Sequence, residues 1–170
     1  MIWATGKSVL GALLGGYIAV EIAKKSLRYQ KATGDWFAVI APLSIALGRL
    51  GCLAQGCCLG IQCRPAPWTM LDANRVARWP AVPAEIAFNI TAMTIALILR
   101  SRGKLRGQLF HLFLIAYGSF RFLHEFLRDT PRVAGPFTGY HLGAVLVIGL
   151  GSAGFILRRR MGERIAVCTT

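Results

Sequence analysis

The sequence predicts an all-α membrane protein: a polytopic bundle of about five transmembrane helices, with the N-terminus outside the cell and the C-terminus inside. Three observations carry this prediction. The 170 residues are 55% hydrophobic with a mean hydropathy of +0.52. The apolar residues gather into five long runs, at 8 to 23, 36 to 53, 81 to 99, 108 to 127 and 139 to 157. The basic residues gather in alternate connections between those runs. A net charge of +13 would ordinarily suggest nucleic acid, but a soluble nucleic-acid binder could not carry such runs in water, so no nucleic-acid partner is expected.

Each element follows in order. A helix rising ~1.5 Å per residue needs about 20 residues to cross a hydrocarbon core roughly 30 Å thick. The first run is short and can be lengthened through Ile2 and Trp3, with Lys7 snorkelling to the interface. A cleavable signal peptide is not expected, because "MIWATGK" lacks a basic start and no small-residue cleavage site follows. Lys24, Lys25, Arg28 and Lys31 follow the first run. Arg100, Arg102, Lys104 and Arg106 follow the third, and Arg158, Arg159, Arg160 and Arg164 follow the fifth. Five crossings put these three clusters on one side, and the positive-inside rule makes that side the cytoplasm. The longest outer connection, from about Ile61 to Pro80, carries Pro65, Pro67, Trp68 and Trp79 and reads as an irregular interfacial segment. No linker, repeat or low-complexity tract divides the chain, so residues 1 to 170 read as one membrane domain.

This topology gathers the ionisable residues at the outer ends of the helices, Glu21 and His111 excepted. In "YGSFRFLHEFLR", Tyr117, Arg121, His124, Glu125 and Arg128 share one helical stripe at about 100° per residue, within which Arg121 can pair with Glu125 and Glu125 with Arg128. Arg49 adds a guanidinium from another helix, and Glu85 and His141 lie at the same level. An arginine at the centre of a membrane helix costs about 2.5 to 3.5 kcal/mol on insertion scales, so it faces a partner or a wet cavity. Arginines on different helices beneath a headgroup plane suit bidentate binding of a phosphate diester. The plain alternative is a neutralised network that holds the helices together.

"GRLGCLAQGCCLG", residues 48 to 60, has glycines that permit close helix packing or an unwound turn whose amides face an anion. Its cysteines, with Cys63, have three readings. Structural disulfides on an oxidising exterior are favoured; a soft-metal site or a reactive thiolate beside Arg49 remains open. No metal or cofactor is assigned. Cys168 reads as a bystander. His124 is the general acid or base best placed by chemistry, its ordinary pKa being ~6.5, whereas His111 and His141 are weaker candidates.

These residues carry a resemblance. "GKSVLGALLGG" at 6 to 16, "GRLGCLAQGCCLG" at 48 to 60, "PW" at 67 to 68, "RWPAVPAE" at 78 to 85 and "YGSFRFLHEFLR" at 117 to 128 make the chain similar to the prolipoprotein diacylglyceryl transferases over nearly its whole length. The resemblance implies an integral enzyme of the bacterial inner membrane. Such an enzyme moves the diacylglyceryl group of phosphatidylglycerol to a lipobox cysteine thiol at the outer leaflet and releases glycerol phosphate. It implies that Arg49 and Arg121 hold the phosphate, that Gly60 closes the glycine-rich turn, and that Tyr117, Glu85, Glu125 and Arg128 shape the headgroup site. The family pattern has asparagine at Cys52 and Gln55, glutamate at Cys57 and histidine at Leu10, and an extra first helix and a periplasmic head domain are expected to be missing here. Parts that hold phosphate are kept and parts that handle the acceptor are changed. The expected function is therefore diacylglyceryl transfer to a prolipoprotein thiol or to another acceptor, protein or small molecule. In it Cys52 or Cys57 replaces the usual acceptor-side residues and His124 serves as base. The alternatives are a noncatalytic phospholipid-binding scaffold and a cysteine-based metal or redox membrane protein.

Overall fold

The computed structural model describes residues 8–29, 33–133 and 135–168, with side chains as far as 159. Gly6, Ile2, Trp3, Lys7, Lys31 and the side chains of Arg160, Arg164 and Cys168 lie outside the described residues. Five helices and one small ribbon make up the described fold: α1 (Val9–Ser26), α2 (Gly34–Ala54), β1 (Met70–Leu71), β2 (Ala77–Arg78), α3 (Ala81–Ser101), α4 (Leu109–Glu125) and α5 (Gly139–Cys168). The all-α prediction holds, and the helices follow the five apolar runs with shifts at their ends. The largest shift is at α5, which runs for 30 residues through the basic tail.

Helices α2 and α3 pack as one pair, α4 and α5 as another; α2 and α3 both reach α4, and α1 rests on α5. The central helix is α4, whose buried face includes Leu109, Phe113, Leu114, Tyr117, Arg121 and Glu125. Gly118 lets α5 approach closely, since a Cβ there would sit 2.7 Å from Ile148 and 3.1 Å from the Ala144 carbonyl. Leu10, Phe113, Leu114, Tyr117, Ala144 and Val147 form the core between α1, α4 and α5.

Among the described residues, three helices are long and apolar enough to cross a membrane: α2, α3 and α5 from Gly139 to Arg159. The 18-residue α1 carries Glu21, Lys24 and Lys25, and α4 has 17 residues and the polar stripe. The physical reason differs from that for the other three. Most of the polar face of α4 is covered by its neighbours, so Tyr117, Arg121, His124 and Glu125 meet protein and need not be apolar, whereas Leu123 on its other face stays exposed. The outward faces of α2, α3 and α5 carry the exposed apolar side chains instead, among them Ile40, Leu47, Ile95, Ile98, Leu146 and Leu157.

The basic connections meet at one end of the bundle. Arg158 on α5 lies 3.5 Å from Glu21 on α1 and donates to the carbonyl of Gly107 before α4. The Asp35 carboxylate at the start of α2 accepts the Gly107 amide at 2.8 Å and the Leu109 amide at 3.4 Å, satisfying donors at the head of α4. Arg100 at the end of α3 covers the Trp36 ring at 3.2 Å.

At the opposite end, the connection expected to be irregular contains the antiparallel β1/β2 ribbon, with Met70 opposite Arg78 and Leu71 opposite Ala77. Asp72 closes its turn by accepting the amides of Asn74 and Val76, each at 2.9 Å. Arg75 takes the left-handed conformation at φ 58°. Trp68 and Trp79 meet edge to face at 5.2 Å beside it.

Candidate functional site

Four helices bring their polar residues to the end that carries the ribbon. Arg49 comes from the last turns of α2, Glu85 from the first turns of α3, and Tyr117, Arg121, His124 and Glu125 from α4. His141 comes from the first turn of α5, and Arg128 lies just beyond α4.

Two carboxylates organise this end. Glu85, 2% exposed, stands 2.9 Å from Arg49 Nε as an ion pair without hydrogen-bond alignment, and its other oxygen accepts the Tyr117 hydroxyl at 2.9 Å. Asn89, one turn further along α3, donates to the Glu85 carbonyl at 2.8 Å and braces that turn. Glu125 pairs with Arg121 at 2.7 Å, as the helical spacing predicts. Its other oxygen accepts the hydroxyls of Thr130 at 2.8 Å and Thr138 at 3.2 Å. The side-chain pairing expected between Glu125 and Arg128 is therefore replaced by two threonines. Their hydroxyls reach a buried oxygen, whereas Arg128 leaves the helix axis as α4 ends. Thr138 also donates its amide to His141 Nδ1 at 3.0 Å, which orients that ring.

Three arginines and two glutamates leave one positive charge in excess. The excess coincides with polar atoms that the described residues leave without partners. Arg121 Nη1, Arg128 Nε, both ring nitrogens of His124 and Nε2 of His141 are buried and have no hydrogen-bond partner among those residues. Buried donors of this kind are costly unless something else satisfies them. His124 lies flat against Phe120 with centroids 4.9 Å apart, and Phe120 stacks on Phe88 at 4.2 Å, so aromatic packing fixes the ring while its nitrogens stay open. No hydrogen bond joins His124 to Cys52 or Cys57.

Gly60 acts through backbone contact. It pairs with Arg128 in an antiparallel bridge, flanked by hydrogen bonds from the Ile61 amide to the Leu127 carbonyl and from the Asp129 amide to the Leu59 carbonyl. A Cβ at Gly60 would collide with the carbonyl oxygen and Cβ of Trp79. Only glycine lets three segments converge there, and that convergence positions Arg128. By contrast Gly48 and Gly51, for which close packing or an unwound turn was expected, lie on an exposed face of continuous α2 with nothing within 4 Å of a built Cβ. The turn comes later, at Gly56 and Cys58, both near φ 60°.

Sequence reasoning did not single out Arg78. Its guanidinium pairs with Asp72 at 2.9 Å and Asp129 at 2.8 Å and reaches the Gly60 carbonyl at 3.4 Å, binding the two loops at this end of the bundle to the bridge. The signal available was the motif "RWPAVPAE", in which Arg78 precedes Glu85 by seven residues. Thr130 and Thr138, in the segment between α4 and α5, carried no pattern.

The four described cysteines are free thiols, so the disulfides favoured from sequence do not appear among them. Cys52, Cys57 and Cys58 cluster at the end of α2, where Arg49 Nη1 approaches the sulfurs of Cys52 at 3.7 Å and Cys58 at 3.8 Å. Cys57 is exposed, yet desolvation and the hydrogen bonds shared with Cys58 and Cys52 push its thiol up to about 11. Burial acts to raise Cys58, but the hydrogen bond with Cys57 and the nearby Arg128 and Arg49 outweigh it and lower that thiol. Cys58, lowered in this way, is among the cysteines read as candidates for a thiolate beside Arg49 but is not one of Cys52 and Cys57, the two expected on the acceptor side.

The fold and its arginine-rich polar end define a helical membrane protein with a preformed centre that lacks one negative charge. The family profile described as prolipoprotein diacylglyceryl transferase matches residues 1–157, and the chain belongs to that family. Curated relatives named phosphatidylglycerol–prolipoprotein diacylglyceryl transferase include those of Erwinia tasmaniensis, 28% identical over 96% of this chain and 66% of the relative, and Methylobacillus flagellatus, 32% identical over 90% and 60%. The relative of that name from Geobacter sulfurreducens is 30% identical over 95% of this chain and 65% of its own. The chain thus spans roughly three-fifths to two-thirds of the length of these relatives. No solved structure matches it.

Proposed function

We propose that this protein is a transferase of the bacterial inner membrane that binds phosphatidylglycerol at the outer leaflet and moves its diacylglyceryl group to a thiol or another acceptor. The observation that supports the reading is the set of buried nitrogens on Arg121, Arg128 and His124 that have no hydrogen-bond partner among the described residues, beside three arginines and two glutamates. That is the environment a phosphate diester fills.

In this reading Arg121 and Arg128 contact the phosphate, with Arg49 completing the cradle. Glu85 and Tyr117 hold Arg49, Glu125 holds Arg121, and Gly60 holds Arg128 by the backbone. The acceptor thiolate attacks the glyceryl carbon next to the ester oxygen; a C–S bond forms, the C–O bond breaks, and glycerol phosphate departs. The thiol proton passes to a base, for which the open nitrogens of His124 are suited. The diester carries about one negative charge and the departing monoester approaches two, so fixed guanidinium groups stabilise the transition state more than the resting lipid. The replaced residues Cys52 and Cys57 stand on the acceptor side of this reading, so the acceptor is a prolipoprotein thiol or another protein or small molecule.

The test is release of glycerol phosphate from headgroup-labelled phosphatidylglycerol by purified protein in vesicles supplied with a lipobox-cysteine peptide or a bacterial membrane extract as acceptor. Arg121→Ala is expected to slow release by about 100-fold or more, on the scale of losing one oxyanion donor. Lipid binding with no release by the unaltered protein would replace the transferase with the scaffold reading.

A further inference from the structure

We propose that Cys52, Cys57 and Cys58 form a binding site for a thiophilic metal ion such as Zn²⁺ or Cu⁺, a three-sulfur clamp seated on the end of α2. This stands on sulfur geometry, and its test reads metal binding rather than transfer.

The three sulfurs all lie within 4.8 Å of one another, and those of Cys52 and Cys58 are 4.0 Å apart. An ion bound at about 2.3 Å from each of three sulfurs requires them to be roughly 3.8 to 4.0 Å apart, trigonal or tetrahedral. The clamp is therefore nearly closed, and its sulfurs stand much further apart than the ~2.05 Å of a disulfide.

The backbone produces this arrangement. Cys52 sits in the last turn of α2. The Gln55 amide then bonds to the Gly51 carbonyl and the Cys57 amide to the Cys52 carbonyl at 3.1 Å, so the chain folds back over the helix end. Gly56 and Cys58 both take φ near 60°, a region that disfavours any side chain at position 58. That conformation turns the Cys58 sulfur back toward Cys52. Cys63 is not part of the clamp: its amide is tied to Ala77 beside the ribbon.

Charge and access agree with the geometry. Three thiolates around a monovalent or divalent ion keep a net negative charge, which Arg49 Nη1 meets at 3.7 and 3.8 Å from two of the sulfurs. A helix C-terminus favours a bound cation. Cys57 is exposed, which gives the ion a path and leaves one coordination position open. Soft sulfur ligands select such ions over Mg²⁺ or Ca²⁺.

The experiment uses the full chain, purified reduced in detergent and titrated with Cd²⁺ as a spectroscopic probe, then with Zn²⁺ against a chelator. One Cd²⁺ per chain with an ultraviolet thiolate-to-metal band is expected. Cys52→Ser, Cys57→Ser and Cys58→Ser should each weaken binding by about a hundredfold and shrink the band. Cys63→Ser should leave both unchanged. Size-exclusion profile and helicity show that each variant remains folded, and Cys57→Ser, at an exposed side chain, is the least disruptive of them. Binding that survives these substitutions, or that is lost equally with Cys63→Ser, overturns the proposal. So does a reduced, folded protein that takes up no ion.

Discussion

Arg121 and Arg49 each face a buried carboxylate, but the two pairs are held differently, and substitution separates them. Glu125→Gln leaves the Arg121 guanidinium, 3% exposed, without its counter-charge. Removing one partner of a buried pair costs about 3 to 5 kcal/mol, so this variant should unfold at a clearly lower temperature in detergent, read by helicity on heating. Tyr117→Phe removes only the hydroxyl that reaches Glu85. It should cost about 1 kcal/mol and leave the protein folded. Gly60→Ala forces a Cβ onto Trp79; overpacking of this kind costs about 1 to 3 kcal/mol. Its larger effect should be on headgroup-lipid release, because the bridge that places Arg128 is disturbed. At this scale the stripe from Tyr117 to Arg128 was legible because helical spacing alone puts these residues on one face. Thr130 and Thr138 were not legible: they meet Glu125 only through loop geometry, and no periodicity marks a loop residue.

Among the elements, the β1/β2 ribbon makes the pH-dependent prediction. The backbone amide of Val76 and the Arg78 guanidinium hold the Asp72 carboxyl below its usual range. A folded-state pKa below the unfolded value, about 3.9, contributes stability that is complete above that value and is lost as the pH falls through the folded one. The ribbon should therefore be indifferent to pH between about 5 and 8 and open only in stronger acid, below about 3.9. The Trp68–Trp79 pair beside it serves as the fluorescence reporter, and Asp72→Asn should weaken the acid transition. Helix positions were legible as apolar runs, which is why their ends differ from expectation by only a few residues, except that α5 continues past 157 to Cys168. The ribbon was not: two-residue strands are too short for an alternation to show, and Pro65, Pro67 and Pro80 pointed to irregular chain.

For the molecule as a whole, the contacts of Arg158, Asp35 and Arg100 gather the basic connections at one end, opposite the arginine-rich centre. If the positive-inside rule governs insertion, a C-terminal green fluorescent protein fusion should fluoresce and a C-terminal alkaline phosphatase fusion should remain inactive. The reverse pattern would place the arginine centre on the cytoplasmic face and remove the outer-leaflet reading. Convergence of charged residues at one end was legible because topology follows from counting crossings. The central place of α4 was not, since hydropathy treats a helix sheathed by protein and one bathed in lipid alike.

Arg78 spans Asp72, Asp129 and the Gly60 carbonyl, and this gives different stretches of the connections at that end unequal freedom to change length. Extra residues at the ribbon tip, near Asn74, lengthen a strap beyond its buckle and leave Arg128 where it is. A single insertion between Gly60 and Cys63, where the chain bridges to Arg128 and Arg78, slips the buckle itself, and the third guanidinium swings away from the other two.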